Sequence, residues 1–434
     1  MKKDIVLFDL DDYTFTNAKA KKPKYPGQGL ISLMPTWFKG FIKSRRLRAG
    51  QRRGMEVYIN DIAAFLPNDP VPNDEMEAVL GKVHDIPSPV KDKILKNNGI
   101  RLRYYAIDRN TGKLNFTNAQ LAANAIQLLK PHENFSINEI QCLCCGTTMA
   151  DVMAPGHASM VAGDLGLGPC EVISTSGICL SGITALKAAY ANVALGWSEN
   201  AVATGSELAS SLLISDFFEH LPEKPDLMNN PVLVFESDFL RWMLSDAAGA
   251  VFLSSSPNQS GLSLRLDWIE HISFAGQMET CMYAGGHKNE DGTVTGWRQL
   301  GSLEVALKRN DFALKQDTKL LGQHIVRLTV QEGLSRTIAR RGIRAVGVDW
   351  FLPHYSSEYF RDKVHDAMVD IGFDIPFERW FTNLSYKGNT GSASIYVMME
   401  ELFHSGKIQK GQTLLCYIPE SGRFSTAFMQ LTAV

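Results

Sequence analysis

Beyond about residue 55 the chain alternates short apolar stretches of two kinds. Glu56-Val57-Tyr58-Ile59 alternates polar and apolar positions and predicts a strand. Apolar residues at helical spacing predict helices over 74–81, 88–98 and 117–130. Apolar runs at 138–145, 172–175 and 201–205 predict buried strands, and Asp246-Ala-Ala-Gly-Ala-Val-Phe-Leu leads into another near 250–254. A second half opens at about Leu262. It contains a helical stretch over 302–340, a strand over 345–350, a helix over 357–371 and a closing strand pair near 412–432. Strands alternating with helices argue for α/β layers.

The pattern repeats. Glu171-Val-Ile-Ser-Thr runs into Ser176-Gly177-Ile178-Cys179, then a helix over 180–195 that stops at Gly196, then the strand at 201. Arg379-Trp-Phe-Thr runs toward Lys387-Gly388-Asn389-Thr390-Gly391, then a helix over 392–404 that stops at Gly406, then a strand at Thr413. Two strand–turn–helix–strand units therefore place Cys179 and Asn389 at equivalent positions, each just before a helix.

Residues 1–54 stand apart as a basic extension, with Trp37-Phe38-Lys39-Gly40-Phe41 followed by Arg45, Arg46, Arg48, Arg52 and Arg53. They read as a solvated arm or cover; docking to an acidic carrier protein and contact with an anionic membrane are the sharper alternatives. The halves then fall at 55–260, with the cysteine, and 261–434, with the histidine and asparagine.

Composition changes this picture little. The 434 residues are 45% hydrophobic, and 44 basic against 46 acidic side chains leave a net charge of −2, which argues against a nucleic-acid partner. The N-terminal apolar run, Ile5 to Phe8, is met at once by Asp9, Asp11 and Asp12, unlike a secretory signal. No window approaches the roughly 18 apolar residues of a membrane span. Seven cysteines, an odd number without regular spacing, suit reduced thiols in a cytoplasmic protein.

Candidate chemistry begins at Cys179. The helix after it is apolar nearly all round and so predicted to be buried, and the free N–H groups and dipole at its N-terminus favour an anion there. A thiol so placed should ionise more easily and act as a nucleophile; a buried structural cysteine is the plain alternative. His354 lies just past a strand end in Leu352-Pro353-His354, and Asn389 opens a run of small residues, Gly388 to Ser394, where a simple helix N-cap would serve equally. Cys142-Leu-Cys144-Cys145 contains CxxC, but within an apolar strand and without a second ligand pair, so a core strand is favoured over zinc or redox chemistry.

Taken together these segments resemble the β-ketoacyl-acyl-carrier-protein synthase III family of the thiolase superfamily. Ser174 to Gly182 is similar to its Cys-Ser-Gly nucleophile segment, Leu244 to Val251 to its Gly-Asp-Gly-Ala-Gly-Ala strand entry, Leu352-Pro353-His354 to its Pro-His motif, and Gly388 to Ser394 to its Gly-Asn-Thr-Ser-Ala-Ala-Ser motif. The resemblance implies a five-layered αβαβα thiolase fold of two pseudo-duplicated halves, a homodimer, and acyl-CoA or acyl-carrier-protein thioesters as substrates without a bound cofactor or metal. It implies that Cys179 carries the acyl group. An oxyanion hole would form from backbone N–H groups of Cys179 and of Ser421 or Gly422, such donors being worth roughly 3–4 kcal/mol each. His354 Nε2 and Asn389 Nδ2 would stabilise the enolate of a malonyl- or β-ketoacyl-thioester for Claisen condensation. The chain departs from the family after His354 (Tyr355-Ser356-Ser357), at the glycine triplet (here Glu420-Ser421-Gly422), in the leader and in an insertion around 221–239. These departures suggest a specialised fatty-acid or polyketide-type pathway. A non-condensing Cys–His acyltransferase acting on an amine or alcohol is the alternative.

Overall fold

A strand that alternates its side chains between two apolar environments is covered on both faces, and the central strands here do so. The computed structural model describes residues 54–218 and 239–434. The basic extension up to Arg53 and residues 221–238 of the insertion lie outside them. Nine strands form the main sheet: β1 (Tyr58–Phe65), β2 (Cys142–Thr147), β3 (Glu171–Ser176), β4 (Asn200–Glu207), β5 (Ala247–Ser254), β6 (Leu264–Ser273), β7 (Trp350–Pro353), β8 (Thr413–Glu420) and β9 (Ser425–Ala433). Their spatial order is β7-β8-β9-β6-β1-β5-β4-β2-β3.

That order is one motif written twice. Reading outward from the centre, β1-β5-β4-β2 answers β6-β9-β8-β7, with parallel pairing of β4 to β2 matched by parallel pairing of β8 to β7. The outermost β3 finds its counterpart in a single parallel bridge from Phe351 to Trp380, all that remains of the strand expected near 379–382. Within the main sheet the halves join at β1 and β6, through Tyr58↔Arg265 and Ile59↔Leu264.

Seven helices matter for the layering: α1 (Asn118–Gln127), α2 (His157–Leu165), α3 (Leu180–Ala194), α4 (Thr318–Val326), α5 (Gly333–Arg341), α6 (Arg361–Asp370) and α7 (Ser394–His404). Cys142 and Cys144 of β2, Ala201 and Ala203 of β4, and Leu414, Cys416 and Ile418 of β8 share one buried cluster with Ile183 and Leu186 of α3 and Ile395 and Met399 of α7. Leu143 and Cys145 face the opposite way, onto α1 and α2. Leu415 and Tyr417 likewise face away from the centre, onto α4 to α6. The result is five layers, αβαβα, with α3 and α7 in the middle. It also puts the two ends of the CxxC, Cys142 and Cys145, on opposite faces of a strand, where they cannot converge on a metal ion.

Two sequence expectations need correction. The 302–340 stretch is not one helix: Leu303–Lys308 is short, Asn310 turns the chain at φ 53°, and Lys315–Gln316 pairs with Met282–Tyr283 before α4 begins. The strand placed at 345–350 begins only at Trp350, because its partner β8 begins at Thr413 and the register sets Trp350 opposite Leu414. Ala345–Gly347 instead closes a 3-10 turn.

Candidate active site

Both central helices start in the interior, and their first turns meet. Cys179 is the N-cap residue of α3. Asn389 precedes the 3-10 turn Gly391–Ala393 that leads into α7. A Cβ built on Gly182 of α3 or on Gly205 of β4 would overlap the Ser392 carbonyl oxygen, so both positions need glycine for this close approach. Tyr396 of α7 donates its hydroxyl to the Gly182 carbonyl at 2.8 Å, tying the two helices together.

One cavity of about 360 Å³ is lined by Cys179, His354 and Asn389. Its apolar wall includes Leu212, Met243 and Leu244 from the first half and Leu321, Ile325 and Phe360 from the second. The three residues that the sequence singled out, spread over 210 positions, thus meet around one space. Ser421 also lines it, whereas Gly422 is not among the lining residues.

Each group is held in a particular state. Asn389 Oδ1 accepts from the Gly391 N–H at 3.1 Å, which leaves its Nδ2 as the free donor. Its backbone carbonyl accepts from Ser245 N–H at 2.9 Å. His354 follows β7, its N–H bonded to the Tyr417 carbonyl at 2.8 Å, and burial lowers its pKa to about 4, so the imidazole is neutral near pH 7. Among the described residues no backbone acceptor bonds the N–H of Ser421 or Gly422, and the N–H of Cys179 lies against its own sulfur.

The thiol departs from expectation. Burial, then the Glu420 carboxylate, then that of Glu207, push the Cys179 thiol well above its ordinary value rather than below it. Burial is the larger cause; beside it, the anion seat at the start of α3 is already taken, because Glu420 Oε2 accepts from Ile178 N–H at 2.9 Å and from Leu180 N–H at 3.1 Å.

Glu207, at the end of β4, was not singled out from the sequence. Its Oε1 accepts from Thr148 Oγ1 (2.6 Å), Thr148 N–H (3.1 Å) and Ser392 N–H (3.2 Å), and burial raises its pKa to about 7. It lines the same cavity. The signal that could have found it is a carboxylate closing an otherwise apolar strand. Among the described residues no group of three or more metal-ligating side chains is gathered.

This layered, pseudo-duplicated architecture with a Cys–His–Asn cavity at its centre defines a thiolase fold. Solved structures agree in fold: a variant of Xanthomonas campestris OleA superposes with a TM-score of 0.67 over 88% of this chain and all (100%) of that one at 18% identity. The 3-oxoacyl-[acyl-carrier-protein] synthase III of Aquifex aeolicus gives 0.61 over 87% and 99% at 19% identity. In sequence, residues 338–418, which carry His354 and Asn389, match the family described as 3-oxoacyl-[acyl-carrier-protein (ACP)] synthase III C terminal. The β-ketoacyl-[acyl-carrier-protein] synthase III of Xanthomonas oryzae pv. oryzae is 24% identical over 354 residues, 81% of this chain and 91% of that protein. The chain thus has the fold of the thiolase superfamily and is similar in sequence to the synthase III condensing enzymes.

Proposed function

We propose that the protein forms a carbon–carbon bond by Claisen condensation of an acyl group carried on Cys179. In the first half-reaction the Cys179 sulfur loses its proton and attacks an acyl-CoA or acyl-carrier-protein thioester. The tetrahedral oxyanion is met by the Cys179 N–H and by the Ser421 or Gly422 N–H. The thiol of coenzyme A or the carrier leaves with a proton. In the second, a malonyl- or β-ketoacyl-thioester loses CO2 or a proton, and His354 and Asn389 Nδ2 donate to its thioester oxygen as the enolate forms. The enolate carbon bonds to the acyl carbon, the C–S bond to Cys179 breaks with its electron pair on sulfur, a proton from the extender or from solvent restores the thiol, and the extended β-keto product departs. No residue of the chain changes oxidation state.

The observation that carries this reading is the Asn389 amide. With Oδ1 engaged by Gly391 N–H, only a donor is left to face the cavity. A neutral His354 supports it, since an imidazole with a pKa of about 4 serves better as a donor than as the base a transfer to alcohol or amine requires. The apolar lining suits an acyl chain, within a specialised fatty-acid or polyketide-type pathway. The edge strand β3, with Glu171, Val172, Ser174 and Ser176 exposed, is the proposed pairing edge of a homodimer. Among the described residues no helix is long and apolar enough to cross a membrane.

Intact mass after incubation with a panel of acyl thioesters, with and without malonyl-carrier protein, tests the reading. The expected result is an acyl adduct on the peptide carrying Cys179 that is discharged into a longer product when the extender is added. An adduct that discharges only to an amine or alcohol overturns it in favour of the non-condensing acyltransferase.

A further inference from the structure

The two catalytic turns are each held by a carboxylate from the opposite half of the fold. β4 and β8 are both eight residues long, both end in glutamate, and both last residues pair with the first residue of the next strand, Glu207↔Ala247 and Glu420↔Ser425. Glu207 reaches forward to the Ser392 N–H of the asparagine turn; Glu420 reaches back to the N–H groups of Ile178 and Leu180. The first contact steadies a turn whose working group is neutral. The second places a carboxylate beside a sulfur that must become an anion.

We propose that Glu420 is a positioning residue for Cys179: its carboxylate takes the anion seat at the N-terminus of α3, locks the nucleophile turn across the two halves and sets a charge beside the sulfur. Oε2 bonds the amides on either side of Cys179 and does not take the N–H of Cys179 itself. The fit is close from both sides: a Cβ on Gly177 would stand 3.4 Å from Oε2, and one on Gly422 would stand 3.0 Å from Ile178 Cγ1 and 3.5 Å from Oε1. Pro419 and Ser421 line the cavity but Glu420 does not, so it acts through the turn and its field rather than on substrate. The ionisable groups around the sulfur are Glu420 from the end of β8, Glu207 from the end of β4 and His354 past β7. The two carboxylates both disfavour the thiolate, and burial keeps His354 neutral. Glu420 is itself raised by burial, partly offset by its two amide donors. A thiolate is therefore disfavoured until substrate enters, which shields the site from adventitious alkylation.

The proposal rests on Cys179 as the nucleophile, but its test reads the thiol whether or not condensation occurs. Glu420→Gln keeps an acceptor for the two amides and removes the charge; Glu420→Ala removes both. Alkylation of the full chain by iodoacetamide is followed from pH 6 to 10 on the peptide carrying Cys179, with Cys179→Ala as the blank and thermal melting as the check on folding. Glu420→Gln should melt like the parent, move the alkylation profile to lower pH and speed alkylation about tenfold at a fixed pH on the rising limb. Glu420→Ala should share that shift yet accept acyl groups more slowly at every pH, because the turn is no longer held. An unshifted profile in a folded Glu420→Gln variant overturns the electrostatic role. Normal acyl loading by Glu420→Ala overturns the positioning role.

Discussion

The turn before α3 and the turn before α7 are the same piece of architecture put to opposite uses. Each opens a buried helix in the central layer and is bonded by a glutamate from the end of a strand in the other half. At the asparagine turn, Glu207 shares its oxygen with Thr148 and borders the cavity. At the cysteine turn, Glu420 spends one oxygen on two amides and stays outside the cavity. An amide donor such as Asn389 Nδ2 is indifferent to whether a neighbouring glutamate is charged, but a thiol is not. Pseudo-duplication thus supplies the scaffold twice, and the chemistry of the residue on each turn decides whether the inherited carboxylate is neutral or opposes ionisation.

The strongest break of this comparison is to remove the working group from each turn in separate proteins. Cys179→Ala should abolish both the acyl adduct and the product. Asn389→Ala should still acquire acyl mass but condense about a hundredfold more slowly or worse, one donor to the developing enolate being gone. His354→Ala should also block condensation, with at most a modest effect on loading. If Asn389→Ala turns over normally while His354→Ala cannot be acylated, the chain is a Cys–His acyltransferase.

Next in size is the contact between the turns. Gly182→Ala pushes a methyl group against the Ser392 backbone carbonyl, which cannot swing away as a side chain would. The expected loss is about 1–3 kcal/mol, seen as a lower urea midpoint at unchanged slope. A changed slope would point instead to a less compact state. Gly205→Ala should behave the same way, since it meets the same oxygen.

The pH dependence sharpens the comparison from the Glu207 side. In the unfolded chain a glutamate titrates at about 4.3, whereas burial holds folded Glu207 near about 7. The folded state therefore keeps a proton that the unfolded state has lost, and stability falls as pH rises between these values and is level outside them. Integrated over that window the penalty is at most about 4 kcal/mol. Glu207→Gln can leave its oxygen with the three donors and turn its amide to the free side, so the slope due to this group should vanish. Asp246, raised to about 6 by burial, slopes the same way, so the difference between parent and variant is what denaturation from pH 5 to 8 must read. A variant whose pH profile parallels the parent's would show that Glu207 is ionised in the folded protein at neutral pH.

Much of this arrangement was legible before the fold was known. Cys179, His354 and Asn389 stand out because small residues and proline mark sharp turns beside apolar runs, and the repeat shows because helix and strand lengths recur almost unchanged. The α/β layering follows from strands apolar at successive positions, as in β2 and β4, while the count of five layers came from the family resemblance. What was not legible depends on pairing at long range. Nothing local says that Glu420 reaches residues 178 and 180, or that the register with β8 delays β7 to Trp350. The ionisation of Cys179 differs from expectation first because burial disfavours the thiolate, and then because the helix N-terminus, read as vacant, is occupied by a carboxylate some 240 positions later. Two eight-residue strands each closing on glutamate were the available clue.

The smallest expected effect concerns Ser421, which stands with Glu420 and Gly422 where the resembling family carries glycines. Its hydroxyl donates to Gln316 Oε1 at 3.2 Å and lies 3.5 Å from the Met282 sulfur, both on the short strand pair Met282–Tyr283 and Lys315–Gln316. The role proposed for this turn uses a backbone N–H, which a change of side chain leaves in place. Ser421→Ala should therefore forfeit only one neutral hydrogen bond, a net cost of about 0.5–1.5 kcal/mol in stability. Acyl loading, measured by the rate of mass gain at saturating thioester, should stay within about threefold of the parent, a change of under about 1 kcal/mol in the barrier. A loss of a hundredfold would mean that the hydroxyl itself meets the oxyanion. The cysteine turn would then rely on a side-chain donor, as the asparagine turn does, and the two halves would be more alike in chemistry than their backbones suggest.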